Sequence, residues 1–353
     1  MTDFTRPLGP GSGTDPDPDP DPDMDLYPPA ADSDVPREIV AAITRGDRVF
    51  RMVLRGGGLA VFVITGLILV FLVSQSSGAF GKMGLGFFTT STWLVQENRF
   101  GIASILPDGV LIALIALLIA IPVALAAALF VSEYAPVVLR RPLISLIDLM
   151  AAIPSIVYAL WGVYFLEPRI IGLARWLSDH TGSWFPPLKV AAGDAQVLFS
   201  SSPFIAGFVV SLMVVPIIAS ICREVFSQAP QGEREAAYAL GSSRWGMIRT
   251  VVLPYGRGGM IGAIMLGFGR AMGETIAVSL IISPVFLVNW HVLGTGGMSI
   301  PALIALRYTE STPEMLSALM AAGLVLFLVT LAVNALAGVI ITRSRSGLQT
   351  AEG

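Results

Sequence analysis

Charge is what this chain most lacks. Asp, Glu, Lys and Arg make up only 13% of its 353 residues, about half the share of an ordinary soluble domain. That scarcity excludes a soluble globular protein of this length. Cysteine is nearly absent too. Cys222 stands alone, so no intrachain disulfide forms, and it reads as a small apolar residue near a helix end. No Gly-x-x-x-x-Gly-Lys-Ser/Thr occurs, so the chain cannot itself cradle nucleotide phosphates in that manner. No segment repeats another, which leaves an inverted-repeat transporter unsupported. The polar N-terminal stretch does not read as a signal peptide.

What is present is apolar sequence, 54% of the chain, gathered in runs of about 20 residues or more, the length that crosses about 30 Å of hydrocarbon. The expected class is an all-α polytopic membrane protein with six transmembrane helices. They are expected over Gly57–Ser74, Ile105–Val131, Leu143–Leu166, Pro203–Cys222, Met260–Val285 and Met315–Thr342. Residues 1–45 form an acidic tail, Asp- and Pro-rich from Asp15 to Asp23. Alternating Asp and Pro neither builds a helix nor buries surface, so this tail is expected to be disordered. It also dominates the net charge of −3. Residues 46–342 form the membrane domain and 343–353 a second tail.

Basic residues set the expected orientation. A cytoplasmic N-terminus places Arg45, Arg48, Arg51, Arg55, Arg140, Arg141, Arg223, Arg234, Arg244, Arg249, Arg257, Arg343 and Arg345 inside. Lys82, Arg99, Arg169, Arg175, Lys189 and Arg307 fall outside. Both termini are then cytoplasmic. Two outer segments are long. Gln75–Ser104 carries Phe87, Phe88 and Trp93; Glu167–Ser202 carries an amphipathic pattern through Ile170, Ile171, Leu173, Ala174, Trp176 and Leu177 that suits an interfacial helix. Trp93, Trp176 and Trp184 are expected in the aromatic belt. Pro122, Pro154 and Pro216 lie inside spans, where proline removes a backbone hydrogen bond and kinks the helix. At Pro154 the neighbours Ser155 and Tyr158 add two hydroxyls.

The inner loop 223–257 is the most organised connection. Glu233 to Leu240 predicts a short helix, Gly241 its left-handed end, and Ser242 or Ser243 the cap of a second helix that ends at Pro254. Its alanines offer a slim face that fits a groove, with Glu235 able to pair with a basic residue there. Inside the fifth span lie Arg270 and Glu274. A charge near mid-bilayer costs about 2.5–3.5 kcal/mol, so such residues face the bundle interior or a water path. At i,i+4 the two share a helical face, but the base precedes the acid, the less favourable order. They read either as a structural ion pair or as a site where Arg270 meets an anion in one state and Glu274 in another. Gly262, Gly269 and Gly273 form small steps that permit close helix approach.

The spacing Glu235-Ala236-Ala237, three residues, Gly241, nine residues, Val251, one residue, Leu253-Pro254 resembles the coupling-loop signature of ABC importer permeases, with Val251 in place of the usual Ile. Leu266 to Val278, reading LGFGRAMGETIAV, resembles the matching segment of the phosphate-specific permeases. So do Ala151 to Gly162, Arg223 to Phe226 and Gly46 to Phe50, these nearest the PstC subunit family. The resemblance covers about residues 46–342. It departs at Asp108-Gly109-Val110, where the family often has Gly-Thr-Leu, and at Trp93-Leu94-Val95, where it often has Trp-Asn-Pro.

The resemblance implies the type I ABC importer permease (MetI-like) fold and a bacterial cell membrane location. It implies a non-catalytic subunit with no metal site and no cofactor of its own, ATP and Mg being bound by a partner. The implied partners are a second homologous permease (PstA-like), an ATPase dimer (PstB-like) and an extracytoplasmic phosphate-binding protein (PstS-like), with the bilayer around them and no nucleic acid. Arg270, Glu274, Thr275, Ser155 and Tyr158 are the expected substrate path. Glu235, Ala236, Ala237, Gly241, Val251, Leu253 and Pro254 are the expected ATPase contact. The substrate is phosphate by resemblance; from the residues alone another oxyanion such as molybdate or sulfate stays open, as does a role mainly in phosphate sensing.

Overall fold

The structure is a computed structural model that describes residues 45–190, 193–286 and 291–345. The acidic tail up to residue 44 and residues 346–353 of the second tail lie outside the described residues. The chain divides into two units, 1–62 and 63–353. The described part of the first unit is one helical stretch, the start of α1 (Arg45–Met83), with an exposed Arg51–Asp47 pair at 3.1 Å.

The second unit holds the remainder. After α1 come α2 (Gly86–Thr89) and a two-stranded antiparallel pair, β1 (Trp93–Leu94) and β2 (Arg99–Phe100). Then follow α3 (Ile105–Leu129), α4 (Val137–Ala152), α5 (Ser155–Trp161), α6 (Glu167–Thr181), α7 (Ala195–Phe199) and α8 (Pro203–Ser227). The loop side carries α9 (Gln231–Ala239) and α10 (Arg244–Met247), and α11 (Leu253–Met272), α12 (Ile276–Ile281), α13 (Ile300–Arg307) and α14 (Pro313–Arg345) complete the chain. Among the described residues six helices are long and apolar enough to cross a membrane: Arg45–Met83, Ile105–Tyr134, Ser155–Thr181, Pro203–Ser227, Arg244–Met272 and Pro313–Ile341.

The core is the packing of α3 on α8, with α11 against both and α14 against α11. Small residues make this possible. One face of α3 buries Ala113, Ala116, Ala120, Ala124 and Ala128, so backbones approach closely and van der Waals contact replaces the hydrophobic drive that lipid does not supply. On α11 one tight point is Gly267, where an added Cβ would stand 2.8 Å from Val214 Cγ1 and 2.9 Å from Ile218 Cδ1 on α8.

Several expectations change. The third span does not run unbroken over Leu143–Leu166: the helix stops at Ala152 and restarts at Ser155, because Pro154 has no N–H to donate and disfavours helical geometry at Ile153. It then continues through a π-turn, Gly162–Leu166, directly into α6. The amphipathic Glu167 segment is therefore the end of a spanning helix and not a separate interfacial one. The fifth span ends at Met272 instead of Val285. Pro122 and Pro216, by contrast, lie within helices that continue past them.

Trp93 is not in an aromatic belt. It is buried, with its ring centroid 5.0 Å from that of Phe100 and 6.4 Å from that of Phe286, while Trp176 and Trp184 are exposed. Among the described residues, Gly262 and Gly269 have no neighbouring atom within 4 Å of an added Cβ. The helix-contact face of α11 is instead Gly256, Gly259, Ala263 and Gly267, which meets α8.

Candidate functional site: a charged cleft and a capped loop

Two places carry the residues singled out by sequence. The first is the break between α11 and α12. Gly273, Glu274 and Thr275 are not helical, so Arg270 and Glu274 do not share a helical face, and the i,i+4 relation does not hold. The Gly273 N–H closes α11 onto the Gly269 carbonyl at 3.1 Å. The Glu274 side chain is buried and its Oε1 accepts from the Ala277 N–H at 3.2 Å. The carboxylate thus serves the first turn of α12, whose open N–H groups favour a negative charge. Arg270 is exposed, and among the described residues no ion pair joins it to Glu274.

Arg270 and Glu274 line one open cleft of about 480 Å³, together with Ile217 of α8, Met265, Leu266 and Gly269 of α11, Gly273 just beyond it, and Asn334 of α14. The polar groups around it are one guanidinium, one carboxylate and one amide. A guanidinium with an open fork accepts a tetrahedral oxyanion readily. Asn334 was passed over in the sequence; its signal was available, as a lone amide inside the apolar run Met315–Thr342.

Ser155 and Tyr158 are brought towards this region without lining the cleft. Helix α5 packs on α12, and Ala159, Met213 and Ala277 form a small buried cluster with Tyr158 against it. The Tyr158 hydroxyl donates to the Met150 carbonyl at 2.9 Å, which also accepts from the Ile153 N–H at 3.4 Å where α4 ends. Two helix breaks, at Pro154 and at Gly273–Thr275, are thereby joined through α5 and α12. Thr275 Oγ1 donates to the Gly273 carbonyl at 3.2 Å.

The second place is the loop between α8 and α11. Helix α9 ends as the sequence predicts. Gly241 takes φ +83°, the Gly241 N–H donates to the Tyr238 carbonyl at 2.9 Å, and the Ser242 N–H to the Ala237 carbonyl at 3.0 Å. These paired bonds are the Schellman closure that glycine favours. Ser243 is the cap of α10, its Oγ accepting from the Gly246 N–H at 3.1 Å.

Pro254 does not end a helix. A π-turn over Ile248–Val252 precedes it, with the Leu253 N–H reaching the Ile248 carbonyl, and α11 runs on from Leu253 with Pro254 in its first turn. The wider turn absorbs the donor that proline lacks. The two alanines face opposite ways: Ala236 is exposed and Ala237 buried. Glu235, Ala236, Tyr238, Leu240 and Trp245 thus form an outward face, with Leu240 88% exposed. Val251 and Leu253 are half-buried.

Other residues organise this architecture. Asp108, at one of the departures from the family pattern, is buried in the first turn of α3, where its Oδ2 accepts from the Met298 N–H at 3.2 Å. It fixes the entry to α13, which Ser299 caps through the Ala302 N–H at 3.3 Å. Glu133 follows α3 and its carboxylate meets Arg234 of α9 at 2.8 Å. Neither contact was foreseen, because each joins residues about 100 or more positions apart.

Residues 120–346 match the family model described as binding-protein-dependent transport system inner membrane component. The chain belongs to this family. Among its relatives, "Phosphate transport system permease protein PstC 2" of Mycobacterium tuberculosis (strain ATCC 25618 / H37Rv) is 37% identical over 297 residues, covering 83% of this chain and 91% of the relative. "Phosphate transport system permease protein PstC" of Xylella fastidiosa (strain 9a5c) is 39% identical over 307 residues, 85% and 91% of the two chains. That of Pasteurella multocida (strain Pm70) is 35% identical over 300 residues, 84% and 91%.

The fold is that of a type I ABC importer permease. A chain from the crystal structure of a bacterial ABC transporter involved in the import of the acidic polysaccharide alginate superposes with a TM-score of 0.53 at 17% identity, over 84% of this chain and 99% of that one. This inner membrane component is accordingly a multi-pass membrane protein.

Proposed function

We propose that the chain is the transmembrane permease subunit of an ATP-driven phosphate importer. The observation that carries this reading is the run of relatives at 33–39% identity named as phosphate transport permeases. Two features of the molecule support it. Arg270 stands exposed on a spanning helix beside a cleft, an arrangement lipid would penalise and a polar path would not. The loop presents a capped helix, α9, that packs Ala237 inward and leaves Glu235, Ala236 and Tyr238 exposed.

In this reading the Arg270 face is completed by a second, homologous permease, so that each chain supplies half of the path. The outward face of α9 docks on a separate ATPase, which binds ATP and Mg and performs the hydrolysis; this chain is not itself an enzyme. An extracytoplasmic binding protein delivers phosphate to the opposite side, and both termini lie in the cytoplasm. Arg270 receives the anion. Glu274, held by the α12 backbone, keeps the helix break in shape and sets the sign of the field next to it.

The test is uptake of labelled phosphate by vesicles holding the assembled complex with ATP inside. ATP-dependent phosphate uptake that excess sulfate or molybdate does not suppress supports the reading. Preferential transport of either competitor replaces phosphate with that oxyanion. Regulation lost with uptake intact in a variant of the chain would instead favour a mainly sensory role.

A further inference from the structure

Three arginines from separate elements converge on the π-turn Phe130–Tyr134 that closes the second spanning helix. Arg140 of α4 donates to the Ser132 carbonyl at 2.8 Å. Arg244 of α10 lies over the Tyr134 ring, 5.1 Å from its centroid. Arg234 of α9 meets Glu133, with Nη1 at 3.0 and 2.8 Å from the two carboxylate oxygens. The same guanidinium donates through Nε to the Ala229 carbonyl at 3.1 Å and through Nη2 to the Phe226 carbonyl at 2.6 Å.

This last contact differs from the exposed pairs elsewhere. Its side chains are 14% and 5% exposed, against 40% or more for both partners at Lys82–Glu314. One planar fork therefore joins the docking helix α9, the end of α8 and the end of α3. Its neighbour Glu235 turns outward and accepts from Gln231 at 3.1 Å. Helix α9 thus has an outer face free to dock and an inner charge bolted to two spanning helices. Removing one partner of a buried pair strands the other charge, and a planar fork is not replaced by a point charge.

We propose that Glu133 and Arg234 are positioning residues that lock α9 to the ends of the second and fourth spanning helices, so that displacement of the loop is delivered to both as one rigid movement. The proposal rests on the reading of the chain as an ATP-driven permease.

The complex with its ATPase, second permease and binding protein, reconstituted in proteoliposomes, is the system in which to test it. The quantity is phosphate moved per ATP hydrolysed, together with the distance between spin labels on Glu233→Cys and Leu118→Cys; native Cys222 is buried and silent. In Glu133→Gln, hydrolysis should persist while phosphate per ATP falls about tenfold, within the usual range of coupling energies. The label distance should become nucleotide-dependent. An unchanged ratio with an unchanged distance overturns the proposal.

Should Glu133→Gln not assemble, the labelled chain with Glu133 and Arg234 intact decides. A distance that stays fixed between nucleotide-free and ATP-bound states supports the lock, and one that changes overturns it. If that chain's complex hydrolyses ATP without moving phosphate, the transport reading fails, while the distance still reports on the lock.

Discussion

Among the described residues Arg270 is the cation that lines the cleft, and it is exposed with no ion pair to Glu274. Hydrogen bonds to a charged group are worth about 1.5–3 kcal/mol, so Arg270→Gln should lower phosphate uptake roughly tenfold to a hundredfold, with assembly of the complex retained. Uptake against phosphate concentration checks this. Asp108 makes a different, structural prediction. Asp108→Ala leaves the Met298 N–H without its acceptor in a buried setting, at a cost of about 1–3 kcal/mol, which a thermal-stability assay of the purified chain should show as a lowered melting point. The presence of Arg270 in an apolar span is visible in the sequence; its separation from Glu274 is not. Sequence spacing assumes a continuous helix, and the non-helical Gly273–Thr275 segment removes that assumption.

At the scale of the elements, α9 carries two adjacent alanines, Ala236 and Ala237, whose surroundings are opposite. Ala237→Leu must enter a packed site and should destabilise the chain by about 1–3 kcal/mol. Ala236→Leu should leave stability within about 0.5 kcal/mol and instead reduce ATP-driven uptake by crowding the exposed face that is proposed to meet the ATPase. Measuring stability and uptake side by side separates the two, and equal effects at both positions would remove the assignment of faces.

A parallel contrast exists on α11. Gly267→Ala drives a Cβ against Val214 and Ile218 and should destabilise, whereas at Gly269 an added Cβ meets nothing within 4 Å among the described residues, so Gly269→Ala should leave the chain's own stability unchanged. The ends of α9 and α10 were legible in sequence because their chemistry is local: glycine at a left-handed cap, a serine three residues before the N–H it holds. The face turned by each alanine or glycine was not, because it is decided by which helix arrives opposite. Pro254 shows the same limit, since a π-turn upstream makes room for it.

At the scale of the whole molecule, the number of spanning helices and the position of the loop between the fourth and fifth were readable from hydropathy alone. The break at Pro154 moved the third spanning helix towards α6, because a residue before proline resists helical geometry. The consequence is a bundle in which two interrupted helices meet through α5 and α12, with the loop between α8 and α11 packed on the same bundle. That arrangement suits the proposed division of labour, a polar cleft and an outward-facing loop on one chain.

The most direct test is ATP-dependent uptake of labelled phosphate by proteoliposomes holding this chain with its ATPase, second permease and binding protein, beside the same complex with Arg270→Gln. The account predicts uptake that needs internal ATP and falls at least about tenfold in the variant, whose complex still assembles. Phosphate uptake that proceeds without ATP, or that Arg270→Gln leaves unchanged, would contradict it.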